Sequence, residues 1–452
     1  MVSPVSDVPL SAARDGRASL VIEGGTIITM ADGQGPISRG RIVVSGDRIS
    51  DIGNLEDVTL PHQARYETIH AANTIVLPGL VNAHSHAAMT LFRGLADDLP
   101  LRQWLFEKIF PAEASLLNPD TVYWGTLLAC LEMIASGTTC FADGYFFQDE
   151  TVRAVHASGL RALIAQGVLD FPAPGVPDPH ENVNVAREFV EKWVGFSDRI
   201  IPGIFCHSPL TASDRTLKKA WEVARHHGVP MQIHLSETDQ EVQEITRRFG
   251  KRPVHYLDQL GLLNRSLIAA HGVHLDPGEM ARLGETGVNV VHVPESNMKL
   301  GSGVARVSAM IEAGITLGLG TDGCASNNDL DMFCEMETAA KLAKVFDQDP
   351  LSVNALTALG LATTGGAAVM GLDAEIGTLE KGKKADMVLV ALDDPHLHPI
   401  YDPVSALVYS ANGGDVRDVI VNGRVLMRNR KWTTIDAEEV RARVTEICRN
   451  ME

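Results

Sequence analysis

Hydrophobic and polar positions follow three regimes along this chain. Residues 19–70 carry short apolar runs separated by Gly and Asp turns. They are Leu20-Val21-Ile22-Glu23, Gly25-Thr26-Ile27-Ile28-Thr29-Met30, Gly40-Arg41-Ile42-Val43-Val44 and Arg48-Ile49-Ser50-Asp51-Ile52. No three-to-four spacing runs through them, so they predict a small all-β region. From about residue 75 the rhythm changes. Apolar runs at Ile75–Val81, Thr138–Ala142, Arg161–Val168, Ile200–Cys206, Pro230–Leu235, Ser266–Ala270, Val288–Val293 and Ile315–Gly320 alternate with helix-like stretches. Among the latter, Leu217–His226, Val304–Glu312 and Leu330–Phe346 place apolar residues every three or four positions. Eight strands with helical connections predict an α/β fold, a (β/α)8 TIM-type barrel, which takes roughly 250 residues. A doubly wound open sheet is the alternative, but no Gly-rich phosphate fingerprint follows any strand.

After about residue 380 the β character returns, in Ala385–Val390, Ala406–Tyr409 and Val416–Val425. Val421-Asn422-Gly423-Arg424 reads as a hairpin turn. The simplest assembly joins both ends of the chain into one small β-sandwich domain beside the barrel. The expected division is a loose tail over 1–18, the first part of the small domain over 19–74, the barrel over 75–380, and the second part over 381–452. The last part closes with a surface helix at Ala437–Arg449.

Barrel enzymes carry their chemistry at the C-terminal ends of the strands. Those ends here are rich in polar groups. His84 and His86 follow the first strand, His207 the fourth, His234-Leu235-Ser236-Glu237 the fifth, His271 the sixth and Thr321-Asp322-Gly323 the eighth. A lone histidine at a strand end is usually hydrogen-bonded structure, and an Asp before Gly is usually a turn residue. Such groups at five strand ends point instead to a metal site. His84 and His86 stand at i and i+2, so an extended backbone aims both imidazoles one way. The expected ligands are His84, His86, His234 and Asp322. Three imidazoles and a carboxylate suit Zn²⁺, with Fe²⁺ as the alternative. Asp322 is also placed to take a proton from water, and His271 to orient the nucleophile. Glu237, three residues after His234, is expected near the metal but not on it. Zinc nucleobase deaminases use a non-ligand Glu to move a proton from water to the base. Glu237 could otherwise be an acid at a helix N-terminus.

Charge and cysteine content narrow the partners. The net charge of −18 argues against broad nucleic-acid or anionic-membrane binding. The six cysteines are scattered without a Cys-x-x-Cys pair, which suits a reducing compartment and no thiolate zinc site. No apolar run approaches the roughly 20 residues that span a bilayer. A cytoplasmic protein is expected.

These residues resemble the amidohydrolase superfamily. Leu77-Pro78-Gly79-Leu80-Val81-Asn82-Ala83-His84-Ser85-His86 is similar to its opening metal motif, and Gly377–Asp386 to its re-entry into the small β domain. Within it the closest likeness is to the 5′-methylthioadenosine/S-adenosylhomocysteine deaminases. It rests on Met89–Leu101, His234–Thr238, Pro294–Leu300 and Gly320–Leu330. The resemblance implies hydrolytic deamination of an adenosyl nucleoside, with Glu237 and His271 catalytic. It also implies Glu113 on the ribose hydroxyls, Trp104 on the apolar end of the substrate, His207 facing the purine, and a homo-oligomer. Two-metal relatives carry a carboxylated lysine near the fourth strand. Cys206-His207 stands there in this chain, so one divalent metal per chain is expected. Relatives that handle S-adenosylhomocysteine well present an arginine after the third strand. Ala162–Ala186 contains no Lys or Arg and carries the Pro-rich stretch Val168–Gly175. An apolar lid favours methylthioadenosine over a zwitterionic tail. The rival readings are an amidohydrolase acting on guanine, a pterin or a triazine, and a catalytically silent barrel acting as a binding subunit.

Overall fold

A computed structural model of the chain describes residues 20–60 and 65–449. The tail expected at 1–18 lies outside the described residues. Eight parallel strands form one sheet in strict chain order: β1 (Leu80–Ser85), β2 (Thr138–Tyr145), β3 (Arg161–Val168), β4 (Ile200–Cys206), β5 (Met231–Leu235), β6 (Leu267–His271), β7 (Asn289–His292) and β8 (Thr316–Leu319). They are buried almost throughout, because helices cover the sheet from outside. At the C-terminal end the Asp322 N–H donates to the His84 carbonyl at 3.0 Å and draws the first and last strands together. The (β/α)8 barrel is therefore as expected.

Both ends of the chain supply a β-sandwich. One sheet orders the strands Arg48–Asn54, Gly40–Ser45, Leu20–Glu23 and Glu67–His70. The other orders Lys431–Trp432, Arg424–Arg428, Val416–Val421, Met387–Ala391, Thr74–Pro78 and Thr26–Ile27. Ile22, Ile42, Ile69, Val76, Met387 and Ile420 fill the space between them. Asn422 and Gly423 both adopt positive φ, at 53° and 73°, as a two-residue hairpin turn requires.

Three local expectations change. The run Ile75–Val81 is two strands, not one. Thr74–Pro78 pairs with Met387–Ala391 in the sandwich, and β1 begins only at Leu80. Gly79 makes the step between them: a Cβ there would stand 1.9 Å from Thr139 Oγ1. The barrel sheet thus starts five residues after the expected boundary at 75. Ala406–Tyr409 belongs to a helix, Pro403–Tyr409, rather than a strand. Asp402 caps it by accepting from the Val404 and Ser405 N–H groups, with Pro403 at the first helical position. The run from Gly25 to Met30 is strand only at Thr26–Ile27. The helix at Ala437–Arg449 forms as expected, and its Val440 and Val444 pack with Val122 and Leu127 of the barrel helix Pro119–Ala135.

Candidate active site

The four expected ligands converge at the C-terminal mouth of the barrel. His84, His86, His234 and Asp322 are all buried, and one donor atom from each lies within 4.8 Å of the others. His84 Nε2 is 3.2 Å from His234 Nε2. Asp322 Oδ1 is 3.5 Å from His84 Nε2 and 3.1 Å from His86 Nε2. Two nitrogens bound tetrahedrally to one Zn²⁺ at about 2.0–2.1 Å stand roughly 3.3 Å apart, so this spacing suits a shared divalent ion. The supporting groups also suit it. The His86 Nδ1–H donates to the Gly144 carbonyl at 2.6 Å, leaving Nε2 free. The hydroxyls of Ser296 and Ser326 donate to Asp322 Oδ2 at 2.7 and 2.8 Å, leaving Oδ1 for the cluster. Among the described residues, two other groups of candidate donors, Glu295/Asp329/Cys334 and Asp394/His396/Asp415, line neither cavity described below.

Every other expected site residue reaches the same pocket. Glu237, His271, His207, Glu113 and Trp104 line it together with His86, His234 and Asp322. Glu237 Oε2 is 3.7 Å from His271 Nε2. The far side of that ring bonds Asn297 Oδ1 at 2.9 Å, which directs Nε2 toward Glu237. His207 Nδ1 meets Thr211 Oγ1 at 3.0 Å. Trp104 and Glu113 come from the segment Leu101–Leu116, which is helical with a wider π turn at Trp104–Ile109. Such turns often mark functional sites. The Glu113 carboxylate accepts from the Tyr145 hydroxyl at 2.5 Å, and the Trp104 indole N–H is buried without a partner.

The amidohydrolase family pattern matches residues 75–426. The chain belongs to the amidohydrolase family. A 5-methylthioadenosine/S-adenosylhomocysteine deaminase of Syntrophobacter fumaroxidans is 44% identical over 437 residues, covering 96% of this chain and 99% of its own. A 5′-deoxyadenosine deaminase of Methanosarcina mazei is 45% identical over 426 residues, covering 94% and 96%. Among solved structures, an adenosine deaminase from Xanthomonas campestris with bound zinc superposes with a TM-score of 0.93 at 36% identity, over 96% of this chain and 99% of that one.

The charges in this amidohydrolase site follow from burial and pairing. Burial lowers the His84 pKa to about 4, and burial plus the neighbouring imidazoles hold His234 well below its ordinary value. Both rings are neutral, as ligands must be. His86 shifts the other way: burial lowers it, but the Asp322 and Asp143 carboxylates outweigh that. Burial acts to raise Asp322, yet the facing His84 and His86 imidazoles keep it well below the carboxylate range. Burial raises Glu237 against the opposing pull of His271. Burial also takes Glu113 up to about 7 and His207 down to about 3.

Some of the residues that hold this amidohydrolase site in place were not legible as such. Ser296, Asn297 and Ser326 lie inside Pro294–Leu300 and Gly320–Leu330, so those motifs located them without assigning a task. Tyr145 ends β2, and its strand-end position was the available signal. Asp143 accepts from the Ala87 N–H at 2.5 Å, just beyond His86.

The pocket opens into a larger outer chamber, with Leu101, Leu105, His207, His234 and Glu237 on both walls. Leu169 faces the inner pocket and Phe171 the outer chamber, in keeping with an apolar lid. Two arginines, Arg102 and Arg248, also line the chamber. They come from segments outside Ala162–Ala186, so the cation-free stretch does not make the chamber cation-free. Arg248 already donates to Glu244.

Proposed function

We propose that this protein is a hydrolytic deaminase of 5′-substituted adenosines, with 5′-methylthioadenosine its best substrate. The observation that carries the reading is the convergence of the His84/His86/His234/Asp322 cluster, Glu237 and Glu113 on one pocket. The names of the relatives described above support the adenosyl assignment. His84, His86, His234 and Asp322 would hold one divalent ion per chain, Zn²⁺ foremost and Fe²⁺ as the alternative. Such an ion lowers the pKa of water from 15.7 toward about 7.

The chain's own groups handle binding and protons. Glu113, as a carboxylate, accepts from the ribose hydroxyls, a vicinal diol it can bridge with two oxygens. Trp104 packs against the sugar and 5′ group, and its unpartnered N–H is available to an acceptor there. His207 faces the purine. Water adds to C6 of the adenine while Asp322 accepts its proton. His271 orients the nucleophile and stabilises its charge. Glu237 delivers a proton to the ring nitrogen, which a carboxyl with a raised pKa does well near neutral pH. The proton taken up by Asp322 then passes to the amino group, and the C6 hydroxyl returns its proton to Glu237 as the C6–N bond breaks and the C6=O bond forms. Ammonia leaves, and the product is the 6-oxo, inosine-type nucleoside.

The same reading places the enzyme in a reducing cytoplasm, as a homo-oligomer. The six cysteines are all free thiols, and no helix of the described residues is long and apolar enough to cross a membrane. Ammonia release from methylthioadenosine, S-adenosylhomocysteine, adenosine and guanine tests the function. Turnover confined to the adenosyl compounds is expected. Turnover of guanine alone would replace the substrate assignment.

A further inference from the structure

The loop that carries Glu237 is strained and short. β5 ends at Leu235, and Ser236 turns the chain at a φ of 52°, in the left-handed region. A residue with a Cβ is disfavoured there, so other contacts must hold the turn. The Ser236 side chain does not, because its Oγ is buried without a hydrogen bond. The carboxylate of Glu241 does. Its Oε1 accepts the Ser236 N–H at 3.0 Å and its Oε2 accepts the Glu237 N–H at 2.8 Å. Glu241 lies in the first turn of the helix Asp239–Phe249 and is 7% exposed. That helix already has its cap, since Thr238 Oγ1 accepts the Glu241 N–H at 3.2 Å. The buried carboxylate is therefore not needed to start the helix. What it grips is the backbone of the two residues that follow the ligand-bearing strand.

We propose that Glu241 is a positioning residue: its two carboxylate oxygens lock the Ser236–Glu237 backbone and thereby aim the Glu237 carboxylate into the pocket. The proposal rests on the reading of Glu237 as the proton carrier. Keeping an unpaired carboxylate buried is unfavourable, and burial, the first of several influences, pushes Glu241 up to about 7. Only a group that can accept two convergent N–H bonds serves here. Glutamine offers one acceptor oxygen and turns an NH₂ toward the other N–H.

The test is a double-mutant cycle on the metal-loaded enzyme with E237Q, E241Q and E237Q/E241Q, together with metal content and circular dichroism. Expected for E241Q is a kcat lower by about 10- to 100-fold, with KM within about twofold and metal retained. The double variant should be no slower than E237Q alone, because Glu241 acts through Glu237. Glu241→Asp, which keeps both oxygens, should recover part of the loss. If E241Q fails to fold, E241D enters the same cycle in its place. Unchanged kcat in E241Q, or losses that multiply in the double variant, would overturn the positioning role while leaving the function intact. Full activity in E237Q would overturn both the role of Glu237 and that of Glu241.

Discussion

The Nε2 atoms of His84 and His234, 150 residues apart in sequence, stand 3.2 Å apart. One comes from β1 and the other from β5, across the barrel mouth. Neutral rings this close share either a proton or an ion, and the Asp322 carboxylate beside them favours an ion. Chelation should abolish activity, and one equivalent of Zn²⁺ or Fe²⁺ per chain should restore it. H84A and H234A should purify without metal. Ser296→Ala removes a hydroxyl from Asp322 and should weaken metal affinity by about 10-fold, read by competition with a chromophoric chelator. Full activity of metal-free protein would sink the assignment.

Glu237 stands 3.7 Å from His271 and outside the ligand cluster. Glu237→Gln keeps the shape and removes the proposed proton carrier. The expected loss in kcat is about 10²- to 10⁴-fold with metal retained. Metal loss in this variant would move Glu237 into the ligand set.

Under the proposed function, Glu113 would link pH to ribose recognition. Burial places its pKa at about 7, so the carboxylate forms as pH rises through neutrality. The nucleoside kcat/KM should therefore climb with pH up to about 7 and level off. Glu113→Gln should raise KM for nucleosides and remove that limb. The stability effect has the opposite sign. A carboxyl raised above its ordinary 4.5 favours the fold while protonated, and this contribution fades between pH 4.5 and about 7. The Tm of E113Q should fall less over that window than the wild-type Tm.

Arg161 joins the two halves of the architecture. From the first residue of β3 it donates through Nε to Asp386 Oδ2 at 2.9 Å and through Nη2 to Asn422 Oδ1 at 3.2 Å. Both members of the ion pair are buried. Arg161→Met strands the Asp386 carboxylate and should cost about 3–5 kcal/mol by denaturant titration. Specific activity of the folded fraction should be unchanged.

Under the proposed function, the outer chamber would receive the 5′ substituent. Leu169 on the inner pocket and Phe171 on the chamber would favour a methylthio group, and Arg248 is paired with Glu244. Methylthioadenosine should exceed S-adenosylhomocysteine in kcat/KM. Arg102→Ala should lower the second value and leave the first within about twofold. A clear preference for S-adenosylhomocysteine would refute the lid argument.

Much of this molecule could be read locally. Hydrophobic alternation reports burial residue by residue, so the eight barrel strands, the terminal β regions and the hairpin at Asn422-Gly423 were visible in one dimension. The order of polar groups at the strand ends went further. A parallel barrel puts every strand's C-terminal end at one mouth, so listing the ends amounted to listing the site. Local reading failed where one run serves two neighbours. Ile75–Val81 is equally apolar on both sides of Gly79, and only the partner strands, Met387–Ala391 for one half and β2 for the other, divide it. It also failed at Ala406–Tyr409, where the cap formed by Asp402 and Pro403 outweighs the strand-like composition.

The sequence by itself determined the fold class, the four candidate ligands and Glu237, because spacing along a strand and position at its end are properties of the chain. Tertiary structure alone decided which groups hold those residues in place. Tyr145 on Glu113, Asn297 on His271, the two serines on Asp322 and Glu241 under Glu237 are contacts made across turns and between strands. Their geometry depends on barrel closure and loop conformation, and hydrophobic periodicity carries no information about either.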